Sequence, residues 1–132
     1  MKLKLVLVCL SIAFGSFLFS RLHTVYGLPS RVDYIQAGCT VVSSGGWAER
    51  EVEWNDYPSN TTASANANIY RWNGSAWEWK GIDSDSAGPA SSGVSRAFKI
   101  TYQAPGFYQA RGRGWLNGGW PIDMTSTTVE CS

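Results

Sequence analysis

The chain ends in Glu-Cys-Ser, and Cys131 has one candidate partner in the domain that precedes it, Cys39. The third cysteine, Cys9, stands inside an apolar run from Leu5 to Phe19 that follows Lys2 and Lys4, the make-up of a secretory leader. Val25 and Gly27 hold the third and first positions before a small-residue break, so cleavage is placed after Gly27 and residues 1–27 leave with Cys9. An uncleaved membrane anchor is the competing reading, and the run is short for a span of about 20 apolar residues. Cys9 follows Val8 rather than a small residue, which argues against a lipid anchor. In an oxidising compartment the remaining pair predicts a disulfide that joins the first and last strands of a domain over 28–132. Closing a loop of roughly 90 residues is worth about 4 to 5 kcal/mol in the chain-entropy model. The competing reading is two free thiols or a metal pair, and for the latter no histidine or third cysteine remains to complete a zinc site.

Lys2, Lys4, Arg21 and the sole histidine, His23, all lie in the leader, which leaves eight basic and ten acidic side chains. This mild negative balance offers no pull toward nucleic acid or an anionic membrane. Arg111 and Arg113 in "RGRG" are too small a patch to reverse it, and alternation puts both on one solvated face.

Without histidine the mature chain cannot build a Ser-His-Asp or Cys-His arrangement, and histidine metal sites are excluded with them. Carboxylate pairs such as Glu51 and Glu53, or Asp83 and Asp85, are what is left for glycosidic acid-base chemistry. Residues two apart on a strand share a face, however, and a solvated row of like charges looks the same. "DSDSAG", 83–88, resembles the start of a calcium loop, but Ala87 and Val94 stand where oxygen ligands are required, and a polar turn is the preferred reading. The sequence therefore predicts no enzyme, no cofactor and no metal. Asn60 and Asn73 begin glycosylation sequons, and Asn73 serves equally well as a turn residue.

The 28–132 region has the length of one domain. Leucine is nearly absent from it, and runs of Thr, Val, Tyr and Trp are separated by turn residues, which favours strands. Period-two alternation predicts seven, at 40–43, 47–54, 66–72, 76–82, 96–102, 107–115 and 124–131. Short strands with frequent turns favour a small antiparallel β-sandwich. In "WAEREVEW" Glu49, Glu51 and Glu53 share one face and Ala48, Val52 and Trp54 the other, with Arg50 interrupting the inner side. A helix is the runner-up there, but the alternation is strict and no leucine stripe exists. "SRAFKITYQ" sends Phe98, Ile100 and Tyr102 one way and Ala97, Lys99 and Thr101 the other.

The stretch "PGFYQA", 105–110, resembles the Gly-x-Tyr-x-Cys approach to strand F of immunoglobulin-like sandwiches. The resemblance implies that Tyr108 is a corner tyrosine whose hydroxyl bonds back to nearby backbone. Ala110 stands where an antibody domain has its second cysteine, so the disulfide here differs. A likeness of this kind implies a fold and no activity.

"YRWNGSAWEWK", 70–80, gathers four rings around an Asn-Gly pair. A loop of "NGSA" sets Trp72 opposite Trp77, Tyr70 opposite Trp79 and Arg71 opposite Glu78; a two-residue turn at Asn73 and Gly74 preserves the same parity. The first register is preferred because it satisfies the charge pair and the aromatic pairs together. Either way the four rings share one face, and a row of rings is what a carbohydrate-binding module uses for stacking. Against that stands the supply of apolar residues: 28–132 has 14 large aliphatics and 14 aromatics. A domain of this size must bury most of them, so the four rings are expected to face inward. The candidate site then moves to the glycine-flanked "GWLNGGWPID". Trp115 and Trp120, joined by Trp47 and Tyr57, would stack on a ligand while Asn117 or Asp123 hydrogen-bonds it. The expectation is a secreted, non-catalytic module that binds an extracellular glycan or cell surface, without nucleic acid and without membrane insertion after cleavage. The alternative is a secreted protein-interaction factor, an inhibitor or antagonistic toxin, that uses the same aromatic loops as anchors.

Overall fold

The computed structural model describes residues 28–41, 44–101 and 104–132. The leader and its cleavage point lie outside them, as do the ends of the 40–43 and 96–102 segments. Every regular element among the described residues is a strand: β1 (Ser30–Cys39), β2 (Gly46–Asn55), β3 (Ala63–Trp72), β4 (Trp77–Ala87), β5 (Gly93–Ile100), β6 (Gly106–Leu116), β7 (Ile122–Thr125) and β8 (Val129–Cys131). Two antiparallel sheets result, one in the order β1-β2-β5 and one in the order β4-β3-β6-β7 with β8 also beside β6. Cys39 and Cys131 are disulfide-bonded, which ties the first strand in one sheet to the last strand in the other.

Eight strands stand where alternation predicts seven. The missed element is β1, whose inward positions include Arg31 and Asp33 while Val32 and Tyr34 point outward. The inner row runs Arg31, Asp33, Ile35 and Ala37, so its charged half breaks the hydrophobic alternation. Thr40 and Val41 fall beyond the end of β1, where the Thr40 amide donates to Gly45 O at 3.0 Å, and the predicted 124–131 strand divides into β7 and β8. Between those two, Ser126 donates its amide to Ala110 O at 2.9 Å and accepts the Ala110 amide on its hydroxyl.

The core follows from β3. Ala63, Ala65, Ala67 and Ile69 are buried, and Ser64, Asn66, Asn68 and Tyr70 alternate with them on the outside. From the facing sheet come Ala48, Val52, Trp54, Ser95 and Ala97. Small residues let the sheets approach, and a few large ones fill the ends. Trp54 is 1% exposed and gives its indole N–H to Ala90 O at 3.0 Å; it is the only one of the seven tryptophans fully buried.

Arg50, on the inner side as its parity predicts, is fully buried yet completely engaged. It donates to Asp33 Oδ1 at 2.7 Å, Ile122 O at 2.9 Å and Glu51 O at 2.6 Å, and more weakly to Gly112 O at 3.4 Å. Burial of an ion at this depth is tolerable only with such full pairing. The glycines of "RGRG" supply the room: a Cβ at Gly114 would meet the Arg50 guanidinium at 2.7 Å, and one at Gly112 would strike Asn66 O.

At the β5–β6 corner the Tyr108 hydroxyl donates to Ala104 O at 2.6 Å, the bond expected of a corner tyrosine. Burial pushes the Tyr108 phenol above its ordinary range. Residues 83–87 of "DSDSAG" belong to β4 rather than to a turn, and Gly88 follows the strand. Its two carboxylates reach across to the edge of β5, where Asp85 accepts the Arg96 amide and Asp83 the Phe98 amide, both at 2.9 Å. Ser95 Oγ adds a bond to Asp85 O at 3.0 Å. The acids thus close a strand edge that would otherwise present free N–H groups.

Candidate functional site

The 70–80 hairpin adopts the four-residue loop, with Trp72 paired to Trp77, Arg71 to Glu78 and Tyr70 to Trp79. Asn73 builds the turn by accepting the Ser75 and Ala76 amides, each at 2.8 Å, and by donating to Glu78 at 2.8 Å. Hydrogen bonds from Asn73 and then Lys80 hold the Glu78 carboxyl below its usual range. The register is as predicted, but the ion pair is not: Glu78 pairs with Lys80 at 2.9 Å, and Arg71 turns to donate to Pro105 O at 2.6 Å.

The expectation that the four rings face inward is overturned. Tyr70 and Trp72 continue the outer row begun by Ser64, Asn66 and Asn68, and Trp79 is 57% exposed. The aliphatic count misled because it left out alanine, which supplies most of the buried core. A bulge then preserves the outer row of β4. The pairing shifts between Ile69 and Tyr70 so that Lys80 is the extra residue, and Gly81 takes a φ of +151°, open to glycine. Beyond it Ile82 lies opposite Asn68 on the same outer face.

This outer face of the five-stranded sheet carries an open groove of ≈ 430 Å³. Asn66, Asn68 and Tyr70 line it from β3, Ile82 from β4, Arg111 and Arg113 from β6, and Asp123 and Thr125 from β7. The groove runs along a gap in the ladder. β3 pairs with β6 at Ala63–Ala65 and again from Asn68 on, and side-chain amides serve the gap. Asn66 Oδ1 accepts the Arg113 amide at 2.9 Å, and Asn68 Nδ2 donates to Arg111 O at 3.1 Å. Asn68 also accepts the Trp79 indole N–H at 3.0 Å, which holds the exposed ring at the rim. The Arg111 guanidinium lies over the Tyr70 ring, 4.3 Å from its centroid, and its Nε donates to Gln109 at 2.9 Å. Arg113 and Asp123 form an exposed ion pair at 2.7 Å.

No family model matches the chain, and no curated protein matches it. Among solved structures the chain is similar to an X-ray structure of a Northeast Structural Genomics Consortium target, at 7% sequence identity and a TM-score of 0.31. The match covers 76% of this chain and 83% of that one. Likeness at that level carries no argument about function.

The six residues expected to form a site are distributed over the molecule. Asp123 lines the groove, and Trp115 lies on the same outer face, opposite Ser64 and two positions along β6 from Arg113. Trp120 is 94% exposed in the loop between β6 and β7. Asn117, with a φ of +53°, fastens that loop to the start of β3: its Oδ1 accepts the Thr62 amide at 3.0 Å and its own amide donates to Thr62 O at 2.8 Å. Tyr57 packs against the core between β2 and β3. Trp47 belongs to the three-stranded sheet, where its ring meets Phe98 at 5.3 Å between centroids. Nearby, the Arg96 guanidinium is raised further by its hydrogen bond to Glu49, at 2.6 Å.

Asn66, Asn68, Tyr70 and the two arginines are groove residues that sequence reasoning did not gather, and Trp79 joins them only through Asn68. The signal was present in "ASANANIY", where small apolar and polar residues alternate in register with the rings. Extending that alternation by two residues puts Tyr70 and Trp72 on the asparagine side.

Proposed function

We propose that the chain is a secreted, non-catalytic binding module that holds a glycan on the outer face of its five-stranded sheet. The observation that carries this reading is Trp79: a ring more than half exposed, fixed through Asn68, at the rim of a groove walled by amides and guanidinium groups. Sugars need this combination, a flat apolar face for the pyranose and fixed donors and acceptors for its hydroxyls. Export is supported by the basic-apolar leader and by the Cys39–Cys131 disulfide. Strand order and the Tyr108 corner bond support ranking the sandwich as immunoglobulin-like. A polysaccharide pull-down with purified protein tests the reading. Trp79→Ala is expected to lose at least tenfold in binding with an unchanged melting temperature. Equal binding by the variant, or no glycan retained by the wild type, would sink it.

Trp120 favours a second reading, a protein-interaction factor anchored through the β6–β7 loop, since an exposed tryptophan at a loop tip is a typical interface anchor. In that case Trp120→Ala removes partner binding and Trp79→Ala does not.

A further inference from the structure

Arg111 is the groove's unneutralised cation. Its Nε is taken by Gln109 and its plane rests on Tyr70, but its two terminal nitrogens have no partner among the described residues. The nearby acid is already engaged, because Asp123 pairs with Arg113. Two positive charges therefore face one negative charge along the groove. With Nε and the ring plane both held, the guanidinium presents a planar, pre-oriented fork, the geometry that matches a carboxylate with two parallel N–H···O bonds. The same contact covers the Tyr70 ring, which leaves stacking to Trp79. Arg111 on β6 and Trp79 on β4 are two strand spacings apart and offset by two residues, since Trp79 lies in line with Tyr70 and Gln109, which makes roughly 12 Å between backbone positions. One sugar ring can then lie on Trp79 while a neighbouring unit offers its carboxylate to Arg111.

We propose that this face selects acidic saccharides that carry ring carboxylates, with Arg111 as the residue that reads the carboxylate. This rests on the glycan reading of the same groove. The Asn66 and Asn68 amides supply uncharged hydrogen bonds to the hydroxyls of either a neutral or an acidic chain, so the discrimination falls on Arg111.

The test measures binding of the purified chain to polygalacturonate and to the same polymer after its carboxyls have been reduced to alcohols. The acidic polymer is expected to bind at least tenfold more tightly, and added salt should narrow the gap. Arg111→Gln should erase the preference, costing the acidic polymer at least tenfold and the reduced one far less. Arg111→Lys, which keeps the charge without the fork, should fall between wild type and Arg111→Gln, and melting curves confirm that both variants fold. Equal wild-type binding to the two polymers, or a parallel loss of both in Arg111→Gln, overturns the proposal. If neither polymer binds but a neutral glycan is held through Trp79, the acidic selectivity fails and the glycan reading stands. If no glycan of any kind is held, both fail.

Discussion

Asp33 accepts a 2.7 Å hydrogen bond from Arg50, a guanidinium with no solvent exposure. The same carboxylate takes Arg31 Nε at 2.7 Å, so two cations depend on one acid. Asp33→Ala leaves Arg50 charged and buried, and unfolding in urea should show a loss of about 3 kcal/mol. Adding Arg50→Met removes the stranded charge as well, so the double variant should regain part of that loss.

The same pair fixes an acid limit on stability. Burial alone raises the Asp33 carboxyl, but the hydrogen bonds and charges of Arg31 and Arg50 outweigh it and hold the pKa below the ordinary 3.8. A depressed folded pKa contributes stability that is complete above the unfolded value, about 3.9, and is lost as pH falls through the folded one. Melting temperature should therefore drop below about pH 4, and the difference between wild type and Asp33→Asn should shrink across that window. A constant difference down to the lowest pH would contradict this assignment.

How far the sequence disclosed this architecture depends on what each strand puts inside. β5 and β6 were legible because their alternation is clean and Pro105 with Gly106 marks the corner. The 70–80 register was legible because turn chemistry and ring pairing agree. β1 was not, since half of its inner row is ionic, and ionic burial follows from partners supplied by distant strands rather than from local pattern. The groove was missed for a related reason. Its polar wall comes from asparagines on β3 and arginines on β6, which only the sheet order brings side by side.

Asp85 and Asp83 act as substitutes for a neighbouring strand. Asp85→Ala leaves the Arg96 amide to water and should cost about 0.5 to 1.5 kcal/mol. Hydrogen exchange gives the specific signature: faster exchange at Arg96 in that variant, and at Phe98 in Asp83→Ala.

Gly114 is spaced for Arg50. Its added methyl would press on Val52 and on the guanidinium at 2.7 Å, and the side chain that would have to give is anchored at several points. Gly114→Ala is expected to lower stability by about 1 to 3 kcal/mol in chemical denaturation. Gly118, with open space around it and a φ of +64°, offers the contrast of backbone strain without a clash.

The bond between Cys39 and Cys131 spans 92 positions and encloses β2 through β7 entirely, but β1 lies outside the loop. A pulling force applied at Leu28 and Ser132 therefore passes through the sulfurs instead of through the sandwich. Only residues 28–38 can be peeled away, and because β1 is already extended the gain in length is only about 3 Å, a few tenths of an ångström per residue. Under tension the molecule is a stiff tether fixed to a locked body, and the groove sits on the locked part.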